Sequence, residues 1–356
     1  ANGLGEFTVS VCTADHAVHA SHEFKKSIEK MRNGERQKFL IGTGHGMCTC
    51  QGAAFEYIFN IEHELKKAGV RDMADLKWIS NESFLGDFGV GGLHMKSMGF
   101  AVSSRIFAES LFTERNVDWI IGAHVNKVEK GKVHYELLDG SMGEEDFDFA
   151  MLIPPFAGVG LKAIAKDGTD ITDTVFAPNG FMKVDANYAA GSYENWKASD
   201  WPKTYQNPTY KNMFACGIAF APPHPISKPM SSPNGTPINP TPPRTGMPSG
   251  IIGKAVAHSI CDRITKGENA PLHEASMAHM GAACVASAGK GLFDGTAAAM
   301  TIYPVVPDFE KYPGTGRDVD YTFGEIGLAG HWIKHILHHL FIWKAKLKAG
   351  WTMIPE

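Results

Sequence analysis

Apolar positions along the first 153 residues switch repeatedly between strand-like runs and helix-like stripes, and this alternation predicts most of the elements. A short alternating piece at 7–11 leads to a helix over 14–31, opened by Thr13 as an N-cap and buried through Phe24, Ile28 and Met31. The apolar strand Phe39-Leu40-Ile41 runs into a glycine-rich turn. A helix over 52–67 follows, striped by Ala54, Tyr57, Ile58, Ile61 and Leu65 and ended by Gly69. A strand at 76–80, a glycine-rich loop at 81–100, a helix at 101–115 and a strand at 119–121 continue the alternation. Two strands meeting near Gly131 and a last run at 147–153 close the unit. A parallel Rossmann-like core over 36–153 with an appended antiparallel meander is therefore expected.

The pattern weakens after Pro154-Pro155. Strands of a second unit are expected at 179–184 and 209–217. Ten of the chain's 20 prolines fall between 222 and 248, a density that forbids helix or central strand. The apolar residues before that stretch and the helix at 248–266 after it imply an ordered, packed loop. A short strand at 282–286 precedes a final helix over 330–349, on which Ile333, Ile336, Leu337, Leu340 and Leu347 are expected to share a face. Lys334, Lys344, Lys346 and Lys348 with Trp332, Trp343 and Trp351 suit a helix lying in a membrane interface; a subunit interface is the plainer alternative.

Composition narrows the function classes more than the fold. The chain has 356 residues, 44% of them hydrophobic and 20% charged, ordinary values for a globular protein. A formal charge of -4 gives no support to nucleic-acid binding. Six cysteines show no paired zinc spacing and are too few for a disulfide scaffold. No apolar run approaches the roughly 18 residues of a membrane span.

The chemistry concentrates at the glycine-rich turn. Gly42, Gly44 and Gly46 form a broken dinucleotide fingerprint, with Met47 where the expected spacing would place another residue class and Glu82 as a possible ribose ligand. The same turn carries Cys48 and Cys50 at a helix start, where amide groups and the helix dipole favour a thiolate. Phosphate cradle and activated cysteine are both open on these residues. Cys261 and Cys216 read as small hydrophobes, in a helix and a strand respectively. His16, four residues from Cys12, and His94 are the histidines best suited to acid–base work.

Several motifs together resemble the sulfide:quinone oxidoreductases. They are Val11-Cys12-Thr13-Ala14-Asp15-His16-Ala17, Cys50-Gln51-Gly52-Ala53-Ala54-Phe55-Glu56, the run from Phe84 to Gly92, the run from Asn207 to Gly217, and Pro242-Pro243-Arg244-Thr245-Gly246-Met247. They are collinear from about residue 8 to the final helix. The resemblance implies an α/β flavoprotein with two Rossmann-like domains of the FAD/NAD-binding type, the first incomplete, and a C-terminal amphipathic membrane-docking helix. It divides the chain into 1–35, a remnant of the FAD-binding domain; 36–153, the second Rossmann-like domain; 154–270, a continuation of the first with the proline-rich loop; and 271–356. It implies FAD as cofactor, with Cys50 receiving sulfide sulfur, Cys284 as its partner, and Cys12 as a third cysteine that binds flavin or assists product release. His16 and Glu56 match proton-moving groups, and Gly217, Arg244, Thr245 and Gly246 match the flavin-ring lining. Sulfide and a membrane quinone are the implied substrates, and residues 330–351 are the implied contact with a membrane surface, the periplasmic face being favoured. The family's FAD fingerprint precedes the part of the family this chain matches, so a companion chain or a homo-oligomer is expected to bear on it. Asp87 stands where many members have histidine, with His94 as a possible substitute. The flavoprotein subunit of a flavocytochrome c sulfide dehydrogenase, and a non-catalytic fragment of this fold, are the alternatives.

Overall fold

The computed structural model describes residues 1–49, 51–189 and 192–354. A single helical turn, α1 (Leu4–Phe7), precedes α2 (Ala14–Arg32), whose N-cap Thr13 accepts a hydrogen bond from the His16 amide. Strand β1 (Gln37–Thr43), α3 (Gln51–Lys67) and β2 (Ala74–Ile79) follow. Then come β3 (His94–Ser97), β4 (Phe100–Ser103), α4 (Ser104–Glu114) and β5 (Val117–Ile120). Strands β6 (Ala123–Glu129), β7 (Lys132–Leu137) and β8 (Met142–Asp146) lead to β9 (Phe149–Ile153). After the turn α5 (Thr172–Val175), the chain forms α6 (Gly246–Lys266), β10 (Ala282–Gly289), β11 (Gly295–Ile302), β12 (Phe323–Gly327) and α7 (Leu328–Ala345).

Three sheets result. Strands β5-β2-β1-β9 make a parallel sheet, in register through pairs such as Phe39↔Leu76 and Leu40↔Ala150. Its strand β1 is buried on both faces, as a parallel strand covered on both sides must be. Phe39, Phe55, Ile58, Leu65, Trp78 and Phe112 fill one side, where α3 packs. Leu40, Ile79, Val125, Val133 and Leu152 fill the other, against the antiparallel meander β6-β7-β8. The third sheet runs β10-β11-β12-β3-β4.

Three sequence expectations need correction here. The loop at 81–100 contains strand β3 and reaches β4, which joins a sheet built mostly from the far end of the chain. A four-residue strand whose neighbour lies over 220 residues away leaves almost no local periodicity. The meander has a third strand, β8, because its exposed acidic sequence MGEED hides the pattern. The strands expected at 179–184 and 209–217 are not formed. Met182 and Phe214 make only isolated bridges, to Phe176, Phe220 and Gln206. Asn207 curls its segment into a turn by accepting from the Thr209 and Tyr210 amides, and buried Trp201, Tyr205 and Phe220 pack there without a ladder.

The proline-rich stretch is ordered and packed, with Ile226, Ser227, Ser232, Ile238 and Asn239 buried. The stripe expected on one face of the final helix is divided. His331 is buried, and Lys334, Leu337 and Leu340 are half-buried, against the third sheet. Ile333 and Ile336 are exposed at 50% and 57%. No helix among the described residues is long and apolar enough to cross a membrane.

Candidate functional site

Two structures meet at the start of α3, and only one has room for a ligand. The first is the glycine-rich turn after β1. Three of its amides are already taken: Gly44 N–H donates to the Ile153 carbonyl at 2.8 Å, Gly46 N–H to His124 Nδ1 at 3.1 Å, and Met47 N–H to His45 Nδ1 at 3.0 Å. Burial and the neighbouring His124 hold His45 down to about 4, so it is the neutral acceptor this bond needs. Asn81 Nδ2 donates to the carbonyls of Gly46 and Cys48, which orients its Oδ1 toward Gln51 Nε2 at 2.9 Å.

The proline-rich segment then lies across the turn. Asn239 N–H donates to the Gly46 carbonyl and Thr241 N–H to the Cys48 carbonyl, each at 2.9 Å, and Thr49 Oγ1 donates to the Pro242 carbonyl at 2.9 Å. A Cβ on Gly46 would stand 2.4 Å from the Pro237 carbonyl oxygen. The phosphate cradle of a dinucleotide site is therefore filled by protein. Glu82 is not a ribose ligand either. It is fully buried, accepting from Ser80 Oγ at 2.7 Å and from the Phe88 amide at 2.8 Å. Burial, with Asp87 nearby, pushes its carboxyl up to about 7. Cys48 is buried with its Sγ 3.1 Å from the Ile153 carbonyl oxygen.

The second structure is a cavity of about 330 Å³ between α3, β10 and α7. Phe88, Val90, Leu93, Met300, Ile302 and Val305 make its apolar walls. Its polar groups are Gln51, Glu56, Arg244, Thr245, Cys284 and Lys334. Few convergent polar groups on apolar walls are what a small-molecule site requires. Glu56, one turn and a half into α3, accepts from Lys334 Nζ at 3.0 Å, and the same ammonium donates to the Val285 carbonyl at 3.0 Å. Cys284, on β10, brings its Sγ to within 3.0 Å of where a Cβ on Gly52 would stand.

Arg317 holds the cavity walls together from behind. It is 4% exposed, and its Nη2 donates to the carbonyls of Val90 (2.9 Å) and Val305 (3.2 Å), both wall residues. Nη1 reaches the Gly92 carbonyl at 3.1 Å and Nε the Pro304 carbonyl at 3.2 Å. Burial lowers this guanidinium to about 9, opposed by the charge of Asp87. Asp87 itself accepts from Ser227 Oγ, and burial raises its carboxyl.

Of the residues singled out in sequence, the cavity brings together Glu56, Cys284, Arg244 and Thr245. Gly217 lines a neighbouring small cavity that Arg244 and Thr245 share, and Gly246 opens α6 beside them. Cys12 and His16 lie exposed at the start of α2 and are not among the cavity's lining residues. His94 is exposed at the start of β3, and buried Asp87 has no such histidine beside it in the cavity lining. Cys50 falls outside the described residues. Cys216 and Cys261 are both exposed, against the expectation of burial: Cys216 precedes a 3-10 turn, not a strand, and Cys261 sits on the outer face of α6. Sequence reasoning missed Gln51, Arg317 and the inward role of Lys334. The last left a signal, since Lys334 lies three residues after His331 on what proves to be the packed face.

The parallel α/β core, the added mixed sheet and the cysteine-bearing cavity make this a protein with the fold of the flavoprotein oxidoreductases. The chain is 32% identical over 346 residues to the sulfide-quinone reductase of Aquifex aeolicus (strain VF5), covering 97% of this chain and 66% of that protein. The X-ray structure of the sulfide:quinone oxidoreductase from the hyperthermophilic bacterium Aquifex aeolicus superposes with a TM-score of 0.72 at 32% identity, over 97% of this chain and 65% of that one. The chain belongs to the sulfide:quinone oxidoreductase family, and it spans about two thirds of the length of these relatives. No protein-family model matches it.

Proposed function

We propose that this chain carries out sulfide:quinone oxidoreduction, oxidising sulfide to persulfide and polysulfide at a cysteine pair and delivering the electrons to a membrane quinone. The observation that carries the reading is the cavity that joins Cys284, Glu56 and the Arg244-Thr245 pair, in a chain related along 97% of its length to a sulfide-quinone reductase. Hydrosulfide attacks a Cys50–Cys284 disulfide at the Cys50 sulfur; the S–S bond breaks, Cys50 holds a persulfide, and Cys284 leaves as a thiolate with the bonding pair. Bonding the outer persulfide sulfur to the Cys284 thiolate, which leaves a trisulfide bridge, then releases two electrons and the S–H proton; the quinone accepts the two electrons and becomes quinol with that proton and one more from water. Glu56, ion-paired to Lys334 at 3.0 Å, is the group placed to take the S–H proton.

The residues present fit the ring of a flavin. The apolar walls are suited to a flat ring system, and Gln51 Oε1, buried in the lining without a partner among the described residues, is an acceptor for a ring or substrate N–H or S–H. Arg244, Thr245, Gly246 and Gly217 would hold that ring, with Cys12 and His16 serving it or the product from the α2 side. When bound, FAD supplies the two-electron relay between the thiolate and the quinone. The filled glycine turn offers no second dinucleotide site, in keeping with electrons that come from a cysteine pair and not from NAD.

On this reading, 36–153 is the second Rossmann-like domain, 1–35 and 154–270 belong to the FAD-binding domain, and 271–356 carries Cys284 and the docking helix. The exposed Trp332, Ile333, Ile336, Phe341 and Ile342, with Lys346 and Lys348 beyond the helix end, support a peripheral seat on a membrane, the periplasmic face being favoured. A homo-oligomer or companion chain belongs to the same proposal. The test is sulfide-dependent quinone reduction by Cys284→Ser and Cys50→Ser variants of the membrane-extracted protein. Each should lose on the order of a thousand-fold or more in kcat, as removal of a nucleophile does. A Cys284→Ser protein working at the parental rate would sink the reading.

A further inference from the structure

We infer that Gly52 is a positioning residue for the sulfur chemistry: its missing side chain is the space in which the Cys284 sulfur sits at the start of α3. The inference rests on the reading of Cys284 as the redox partner. Gly52 is the second residue of α3, and among the described residues the atom near its ideal Cβ position is Cys284 Sγ, at 3.0 Å. Ordinary contact between such atoms needs about 3.5–4 Å. Cys284 cannot retreat by moving its backbone, because β10 is laddered to β11 with Cys284 opposite Met300. A methyl group at position 52 therefore has to push the sulfur back by a few tenths of an ångström, away from the helix end.

That displacement matters chemically. The first turn of this 17-residue helix carries no acidic side chain, so the positive end of its dipole, beside the sulfur, is not offset within that turn. A thiolate there is a better leaving group than one in the apolar body of the cavity. The helix has no use of its own for the glycine. Alanine is the better helix former by about 1 kcal/mol, and Gly52 makes no other close approach among the described residues. A glycine where helix stability disfavours it, with a sulfur against its Cβ position, is accounted for by the sulfur.

The measurement is the pH profile of Cys284 alkylation by iodoacetamide in the reduced full chain, read by peptide mass spectrometry, alongside melting temperature and turnover. In Gly52→Ala the alkylation midpoint should rise by about half to one pH unit, and kcat should fall on the order of ten- to a hundred-fold. The melting temperature should hold or rise, which a merely structural role would not predict. If the alanine variant fails to fold, Gly52→Ser should give the same rise in midpoint. A folded variant with parental midpoint and parental kcat overturns the inference. If instead Cys284→Ser keeps its turnover while the Gly52→Ala midpoint still rises, the redox reading falls and the seating of the sulfur stands.

Discussion

The glycine-rich turn and the cysteine-lined cavity lie at the same helix start, and both depend on a glycine without a side chain, yet one is closed and the other open. At Gly46 the space admits backbone: the Pro237 carbonyl would stand 2.4 Å from a Cβ, and the segment behind it donates two amide hydrogen bonds to the turn. At Gly52 the space admits a side chain, the sulfur of Cys284. A dinucleotide turn binds phosphate only while its amides are unpaired. Here Gly44, Gly46 and Met47 have given theirs to Ile153, His124 and His45. The difference teaches that a Rossmann-like strand–turn–helix keeps its shape after its anion site has been filled, leaving the helix end available to other chemistry.

The largest effect should come from removing the clasp on the open side. Arg317→Met leaves four carbonyls without their donor and Asp87 without a nearby cation, so it should destabilise by about 3–5 kcal/mol. Denaturant unfolding checks this, and a loss under about 1 kcal/mol would show that the cavity walls stand without Arg317. On the closed side, Gly46→Ala should cost about 3 kcal/mol. Its Cβ would meet rigid backbone and His124 Nδ1 at 2.8 Å, neither of which rotates away as a cysteine sulfur does. Gly52→Ala should show no such loss. Equal destabilisation by the two alanines would break the comparison.

How far the sequence foretold this divides at the same place. The parallel core was legible because β1, α3, β2 and β9 carry strong local periods, and Thr13 and Gly69 punctuate them. Glu56 and Cys284 could be nominated through motifs, but their meeting depends on β10 packing against α3, across more than 220 residues. The closure of the turn was illegible for a like reason. It is made by Asn239 and Thr241, whose backbone groups carry no sequence signal. Arg317 looks like any surface arginine in the run Gly316-Arg317-Asp318 until the Val90 and Gly92 carbonyls of one distant loop converge on it with those of nearby Pro304 and Val305. On the final helix the stripe was legible but its division was not: Ile333 and Ile336 stay exposed while Leu337 and Leu340 turn toward the sheet with His331 and Lys334, a packing set by strands distant in sequence.

The two regions should also answer pH in opposite directions, and this separates them at smaller amplitude. Glu82 stands behind the cavity wall, holding the Phe88 amide, with its folded-state carboxyl at about 7 against 4.5 ordinarily. A raised acid stabilises the fold below its ordinary value and loses that contribution as pH climbs from 4.5 through 7, here on the order of 2–3 kcal/mol. Glu82→Gln should remove this slope and leave the protein more stable than the parent at pH 8. His45, at the closed turn, is lowered from 6.5 to about 4. A lowered base stabilises above 6.5 and loses that contribution as pH falls toward 4, when protonation abolishes the acceptor for Met47 N–H. The ring is only half-buried, so solvent screening holds the effect to no more than about 1 kcal/mol. Urea midpoints taken from pH 4 to 8 should therefore form a dome in the parent, with Glu82→Gln flattening its alkaline limb. His45→Asn, which keeps a neutral acceptor that does not titrate, should flatten the acid limb alone. A histidine variant that flattened the alkaline limb would mean that the turn and the cavity wall titrate as one unit and are not the independent halves their geometry describes.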